Sequence, residues 1–317
     1  MLSPLLAKIV SESLISLYPI FVKLIKIPIL LQMWSRFITY TCISLFFIDW
    51  NFIFNQIFSK NGIMLSIITT FHVYCTYRGF LLLESGVAFA FFYTYPFFII
   101  LLAGHKIHFL NVFLIVTGIF LLSNSFEKKS DDDIELKEEL KEELKEESKE
   151  EENIFDMNKN KKENKKEKEN FWNEGIIMIL LSAFTDALIY FLIKNIKTEN
   201  NWNILFISYS MGTFLLSIYY LLNKKENINL LLSKNNDSLK NTFYLSLIIN
   251  AFIGLSGFLL RFYSVKRLNT KMYALLSYFG IVTAYFYGVI FNKDVITFQK
   301  IIGTIFILLP NFIEKYE

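Results

Sequence analysis

The amino-acid sequence predicts an all-α membrane protein of ten transmembrane helices, arranged as two inverted five-helix repeats. Three observations carry that prediction. Of 317 residues, 54% are hydrophobic and 17% aromatic, and the mean hydropathy is +0.40. Ten stretches are apolar and long enough to span a bilayer, five on each side of a charged break. The first and sixth of them open alike.

The charges sharpen the first observation because they are segregated. Between Glu127 and Glu169 lie 12 Lys and 18 acidic residues, a local net of −6. Only 20 basic and 11 acidic residues remain for the other 274 positions. Those positions carry too little polar side chain to cover a water-facing surface. A soluble enzyme, a nucleic-acid binder and a secreted disulfide scaffold are excluded. The formal net charge of +3 is the small remainder of a basic body and an acidic break. Cys42 and Cys75 stand in apolar stretches without metal or disulfide spacing and read as buried free thiols.

A helix needs about 20 mostly apolar residues to cross roughly 30 Å of hydrocarbon. In order, the stretches are residues 5–25 (with Glu12), 29–48 (with Arg36), 61–77, 85–104 and 109–126. After the break come 175–193 (with Asp186), 200–222, 241–260, 272–292 and 295–313, the last cut by Lys300. The first is a retained helix rather than a signal peptide, since Glu12 interrupts it and no small-x-small site follows. Backbone groups in hydrocarbon must be bonded within their own segment, and the alternation of a β-barrel is absent, so the stretches are helices.

At an offset of 171 the first helix matches the sixth at Ser11/Ser182, Leu17/Leu188, Lys23/Lys194, Ile25/Ile196 and Lys26/Lys197. A weaker match at offset 185 pairs Leu83 with Leu268 and Tyr93 with Tyr278. Five helices per repeat is an odd number, so the copies stand upside down relative to each other. The division is residues 1–126, a linker at 127–170, and residues 171–317. Within the linker Leu-Lys-Glu-Glu recurs from Leu136, Leu140 and Leu144, a pattern of solvated disorder or a fraying helix. Lys and Arg divide nearly equally between alternate loops, so charge leaves the absolute orientation open.

Particular residues carry a family resemblance. Ser13–Lys23 (SLISLYPIFVK), Arg36 within WSRFITY, Tyr77–Gly104 with its proline-bearing helix, and Tyr263–Ile307 resemble EamA-type permeases of the drug/metabolite transporter superfamily. The chain departs from the family pattern at Gly104-His105 and Lys293-Asp294, where Gly-Glu is usual, and at Gly280-Ile281, where Glu-Pro is common. The resemblance implies a ten-helix secondary transporter with a central cavity open alternately to each side, and cytosolic termini.

Ionisable residues inside a crossing helix are expensive and mark function by default. Asp186 is the strongest candidate for substrate binding and Arg36 a second, against a reading of Asp186 as a satisfied interhelical partner of Arg36 or of a tyrosine. Tyr18, Tyr93, Tyr95, Tyr190, Tyr278 and Tyr285 are candidate cavity walls, apolar rings with a hydroxyl tip; Tyr40 and Tyr287 share that description. Lys23, Lys194 and Glu12 are candidate gating or helix-end charges, against a reading as anchors that snorkel to the interface. Pro19 and Pro96 are candidate hinges. Arg261, Lys266 and Arg267 read as topology anchors at a helix end, His72 as a helix-contact residue, and His105-x-x-His108 as a weak metal motif. No phosphate-binding loop, H-E-x-x-H or G-x-S-x-G motif occurs.

The expectation is a transporter, not an enzyme, moving a small organic metabolite such as a zwitterion or nucleoside-like solute. It needs no cofactor, metal or nucleic acid; its partners are the metabolite, the lipid bilayer and a potential second copy in a homodimer. Two other functions stay open: a membrane scaffold or regulator, and an integral-membrane transferase.

Overall fold

Caps and prolines punctuate the helices. The computed structural model describes residues 3–25, 27–104, 109–123, 154–222 and 237–310, with side chains described from Glu174 in the fourth stretch and from Asn241 in the last. Lys26, the pair His105 and His108, and the Leu-Lys-Glu-Glu repeats lie outside the described residues.

The Ser3 hydroxyl accepts from the Leu6 N–H and caps α1 (Pro4–Ile15), which restarts as α2 (Tyr18–Leu24). Pro19 stands in the first turn of α2, where its missing N–H costs nothing. α3 (Ile29–Ser44) follows Pro28, and Asp49 caps the short α4 (Trp50–Gln56). α5 (Lys60–Leu82) begins on Ser59. α6 (Ser85–Phe92) and α7 (Tyr95–Leu102) form one rod broken just ahead of Pro96. Then come α8 (Phe109–Ser123), α9 (Ile154–Asn195) and α10 (Asn201–Leu222). α11 (Asp237–Ile249) passes through a π-helical turn, Asn250–Gly254, into α12 (Leu255–Arg267). Asn269 caps α13 (Thr270–Ser277); α14 (Phe279–Tyr287) ends in a second π turn, Gly288–Asn292, before α15 (Phe298–Leu308).

Three boundaries differ from the sequence reading. α9 begins at Ile154, inside the charged stretch, and continues unbroken into its apolar part. α12 runs past Leu260 to Arg267, so Arg261 is 6% exposed and not a helix-end anchor. The helix continues because Arg261 is neutralised internally by Asp186. Lys300 does not end the last helix: it lies in the first turn of α15, 1% exposed, bonded to Glu84 and to the Val295 carbonyl.

Among the described residues, six helical rods are long and apolar enough to cross a membrane: Pro4–Leu24, Ser85–Leu102, Glu174–Asn195, Asn201–Leu222, Asn241–Arg267 and Thr270–Asn292. Phe109–Ser123 and Phe298–Leu308 are apolar but shorter. The 16 residues of α3 are also short, while the hydroxyls, His72 and Arg78 of α5 lower its hydropathy.

Contacts give the helix directions. Arg78 meets Glu174, Gly79 meets Ile179 and His72 meets Ser182, so α5 and α9 are antiparallel. Ser264 donates to the Pro4 carbonyl and Ser11 to that of Gly257, so α1 and α12 are antiparallel too. α3 packs on α10, and α6 on α14. At that last crossing a Cβ on Gly86 would lie 2.2 Å from the Tyr285 ring, so only glycine permits the approach.

Polarity is inverted relative to a water-soluble fold. Lys8, Glu12, Arg36, Asp186, Arg261 and Lys300 are buried, while Phe58, Phe109, Phe252 and Phe298 stand exposed on the outside. Lipid tails accept apolar side chains as readily as a core does, so the polar groups turn inward to find partners. Cys42 is on the exposed surface and Cys75 is buried; both are free. The outward position of Cys42 corrects its reading as buried and follows from the lipid-facing side of α3.

Candidate substrate site

The polar interior is assembled from helices distant in sequence. Asp186, 3% exposed on α9, forms an ion pair with Arg261 of α12. Arg261 Nε donates to the Tyr273 hydroxyl on α13 at 2.9 Å. His72 of α5 places Nε2 3.9 Å from the Asp186 carboxylate, and its Nδ1 is 3.1 Å from the Ser182 carbonyl and 3.2 Å from the Thr185 hydroxyl. Asp186 thus pairs with Arg261, not with Arg36.

A second pair lies beside the first. Lys8 and Glu12, one turn apart on α1, form an ion pair. Glu12 also accepts from the Tyr93 hydroxyl. Lys8 Nζ lies 3.3 Å from the Tyr95 hydroxyl and 3.6 Å over the Tyr273 ring, and Tyr95 donates to Ser277. Tyr273 therefore touches both pairs. At 0% and 1% exposure, Lys8 and Glu12 do not reach the interface, so Glu12 is not a snorkelling anchor. Tyr278 packs 6.4 Å from Tyr93, between ring centroids.

Arg36 occupies a third environment. Its guanidinium carbon lies 4.4 Å from the Phe258 ring centroid, 4.9 Å from that of Tyr18 and 5.4 Å from those of Tyr40 and Tyr209. Its Nη2 donates to the Tyr209 hydroxyl at 2.8 Å. Tyr18 and Tyr40 share a 2.5 Å hydroxyl contact, and Tyr18 donates to Asn250 in the π turn between α11 and α12.

A small, partly open cavity of about 20 Å³ is lined by Asp186, His72, Arg261, Tyr190, Tyr209 and Tyr273 with Phe258, Phe262, Ile189 and Val265. That is room for about one water. Tyr190 bonds Thr270 at 3.0 Å.

One end of the molecule carries a separate charged cluster. Lys300 pairs with Glu84, Asp294 accepts from the Ser85 N–H at 3.0 Å, and Asn292 donates to the Ser85 hydroxyl at 2.7 Å. Lys23, half-buried, is within electrostatic reach of Asp294 and Glu84. Burial raises the Asp294 carboxyl above its ordinary range, and Lys23 opposes that rise. Tyr285 lies at this end, bonded to Thr304 at 2.8 Å and away from the central cavity. Lys194 is exposed, its Nζ 4.9 Å over the Tyr190 ring.

Of the sequence candidates, the cavity brings together Asp186 and Tyr190. Glu12, Tyr93 and Tyr95 form the adjoining pair, Arg36 and Tyr18 the aromatic cage, and Tyr285 and Lys23 the charged end. Sequence reasoning missed Lys8, Arg261, Tyr209, Tyr273 and Phe258. Lys8 had a signal in its i,i+4 spacing to Glu12; Phe258, Tyr209 and Tyr273 had none beyond apolar helix context.

One comparison with known proteins finds a match. No curated protein matches the chain. Residues 173–311, which span most of α9 and reach beyond α15, match the model of the EamA-like transporter family. Through that second half the chain is similar to EamA-type transporters of the drug/metabolite transporter superfamily, and it is an integral, multi-pass membrane protein.

Proposed function

We propose that this protein is a secondary transporter, not an enzyme, that moves a small organic metabolite by alternating access through ten crossings in two inverted five-helix repeats. The observation that carries the reading is the buried Asp186–Arg261 pair, built from two rods and lining a small polar cavity. An ion pair at that depth is costly to keep unless it serves a solute path.

The packing supports the repeat. α1 of the first apolar stretch packs on α12 of the eighth and α9 of the sixth on α5 of the third; α3 of the second packs on α10 of the seventh and α6 of the fourth on α14 of the ninth. This pattern is unchanged when the halves are exchanged. α12 runs parallel to α9, since Arg261 meets Asp186 and Lys266 donates to the Ile196 carbonyl, so α1, antiparallel to α12, runs opposite to α9, which agrees with inverted copies. Rods broken at Ser16–Leu17, Tyr93–Thr94 and Tyr278 supply the interrupted backbone that such sites use. In this reading Pro19 and Pro96 are hinges, and the Glu84–Lys300 end is one mouth of the path.

The test is a reversible lock. Ser85→Cys and Asn292→Cys, on a background lacking Cys42 and Cys75, are bridged by a short cleavable thiol cross-linker in proteoliposomes. Uptake of labelled metabolites should stop on bridging and return on cleavage. Uptake that continues through the bridge overturns alternating access at that mouth.

A further inference from the structure

We infer that the transported solute is an organic anion and that Arg36 is the residue that selects it; the inference rests on the transporter reading above. The buried charges of the central region do not balance. Lys8 is paired with Glu12, and Arg261 with Asp186. His72 adds no fixed charge to this count, since its ring is bonded as a neutral imidazole can be, to Ser182, Thr185 and Thr76. That leaves Arg36, 3% exposed, with no carboxylate against it among the described residues. The rings of Tyr18, Tyr40, Tyr77, Tyr209 and Phe258 surround its guanidinium, and its Nε, wholly buried, makes no hydrogen bond.

Rings stabilise a cation through their quadrupoles but do not neutralise it. Guanidinium is charged at any physiological pH and offers planar paired donors that match a carboxylate or phosphate. The position of the cage relates it to the solute path. Phe258 and Tyr209, which touch Arg36 at 4.4 Å from its guanidinium carbon and 2.8 Å from Nη2, also line the central cavity. One layer of side chains separates this guanidinium, whose Nε is unbonded, from that space. In the state that admits solute, displacement of these rings exposes Arg36 to an anionic group. Asp186 faces the same cavity, and Arg261 holds its charge, so it does not repel the incoming anion as a free carboxylate would. A solute with one net negative charge brings the region to neutrality.

The experiment uses the full chain in proteoliposomes with six probes: lactate, malate and glycerophosphate as anions, alanine as a zwitterion, glycerol as a neutral solute and choline as a cation. At least one anion should enter. Arg36→Met should reduce that uptake by at least about thirtyfold, the scale of truncating one member of a buried charge pair. Arg36→Lys should retain part of it. Because the substitution removes an uncompensated charge, Arg36→Met should melt no lower than the wild type in detergent. Uptake confined to alanine, glycerol or choline overturns the inference and leaves the transporter reading in place. Anion uptake unchanged by Arg36→Met also overturns it, as does a lowered melting temperature that Arg36→Lys restores, which would make Arg36 a structural cation. Uptake of none of the six overturns this inference and the transporter reading together.

Discussion

Asp186→Leu removes one charge of the ion pair on the cavity wall. Asp186 is 3% exposed and Arg261 6%, so the orphaned guanidinium keeps its Tyr273 bond but has no carboxylate left. Breaking a buried pair in this way costs about 3–5 kcal/mol. At roughly 2.1 cal/mol/K per residue, an unfolding entropy for a chain of this length makes 4 kcal/mol a drop of about 6 °C in Tm. Arg261→Met should cost about as much, by leaving the carboxylate buried. The double variant Asp186→Leu/Arg261→Met removes both charges and leaves chiefly the Tyr273 hydroxyl short of a partner, at about 1 kcal/mol. The double-mutant cycle should therefore show a coupling of at least about 3 kcal/mol. Thermal unfolding of the detergent-solubilised protein, followed by tryptophan fluorescence, measures it. A double variant as unstable as the sum of the singles would show that the two side chains do not act as a pair.

Other perturbations discriminate the remaining parts of the site. Glu84→Lys and Lys300→Glu should each impair transport, and the combined swap should recover it; uptake by the swap no better than by the singles would count against an ionic latch at this mouth. Lys23→Gln should shift thiol accessibility between the two mouths because Lys23 faces Asp294 and Glu84, whereas Lys194→Gln, exposed, should leave it unchanged. Equal shifts in both would restore their equivalence. Gly254→Ala would set its Cβ 1.9 Å from the Tyr18 hydroxyl oxygen and 2.0 Å from that of Tyr40, so the tyrosines above Arg36 must move, at a cost of about 1–3 kcal/mol. An unchanged Tm would mean they yield freely. Arg78→Gln breaks a partly exposed pair with Glu174 and should change stability by less than about 1 kcal/mol.

The membrane character of the chain, its helical class and its family resemblance were legible in one dimension because they depend on local quantities. Hydrocarbon thickness fixes how many apolar residues a rod needs, and proline and capping residues mark where rods break. Asp186, Glu12 and Arg36 stood out for the same reason: a charge in an apolar run is visible without knowing its neighbours. Arg261 shows where that logic ends. Its charge at the edge of an apolar stretch looked like a helix boundary, and only Asp186, 75 positions away on another rod, makes it an interior residue. Lys300 was misread in the same way for want of Glu84.

Tyrosines were harder still. Nothing in the order of residues separates Tyr190, on the cavity, from Tyr285, against Gly86 at the far end. Which ring faces which neighbour depends on helix rotation and crossing, and these are set by packing among rods remote in sequence. The sequence by itself determined what must be buried in lipid and which charges were too costly to be idle. The tertiary structure alone decided how those charges pair, and that Arg36 is left among rings, because pairing depends on distances between helices that no local pattern encodes.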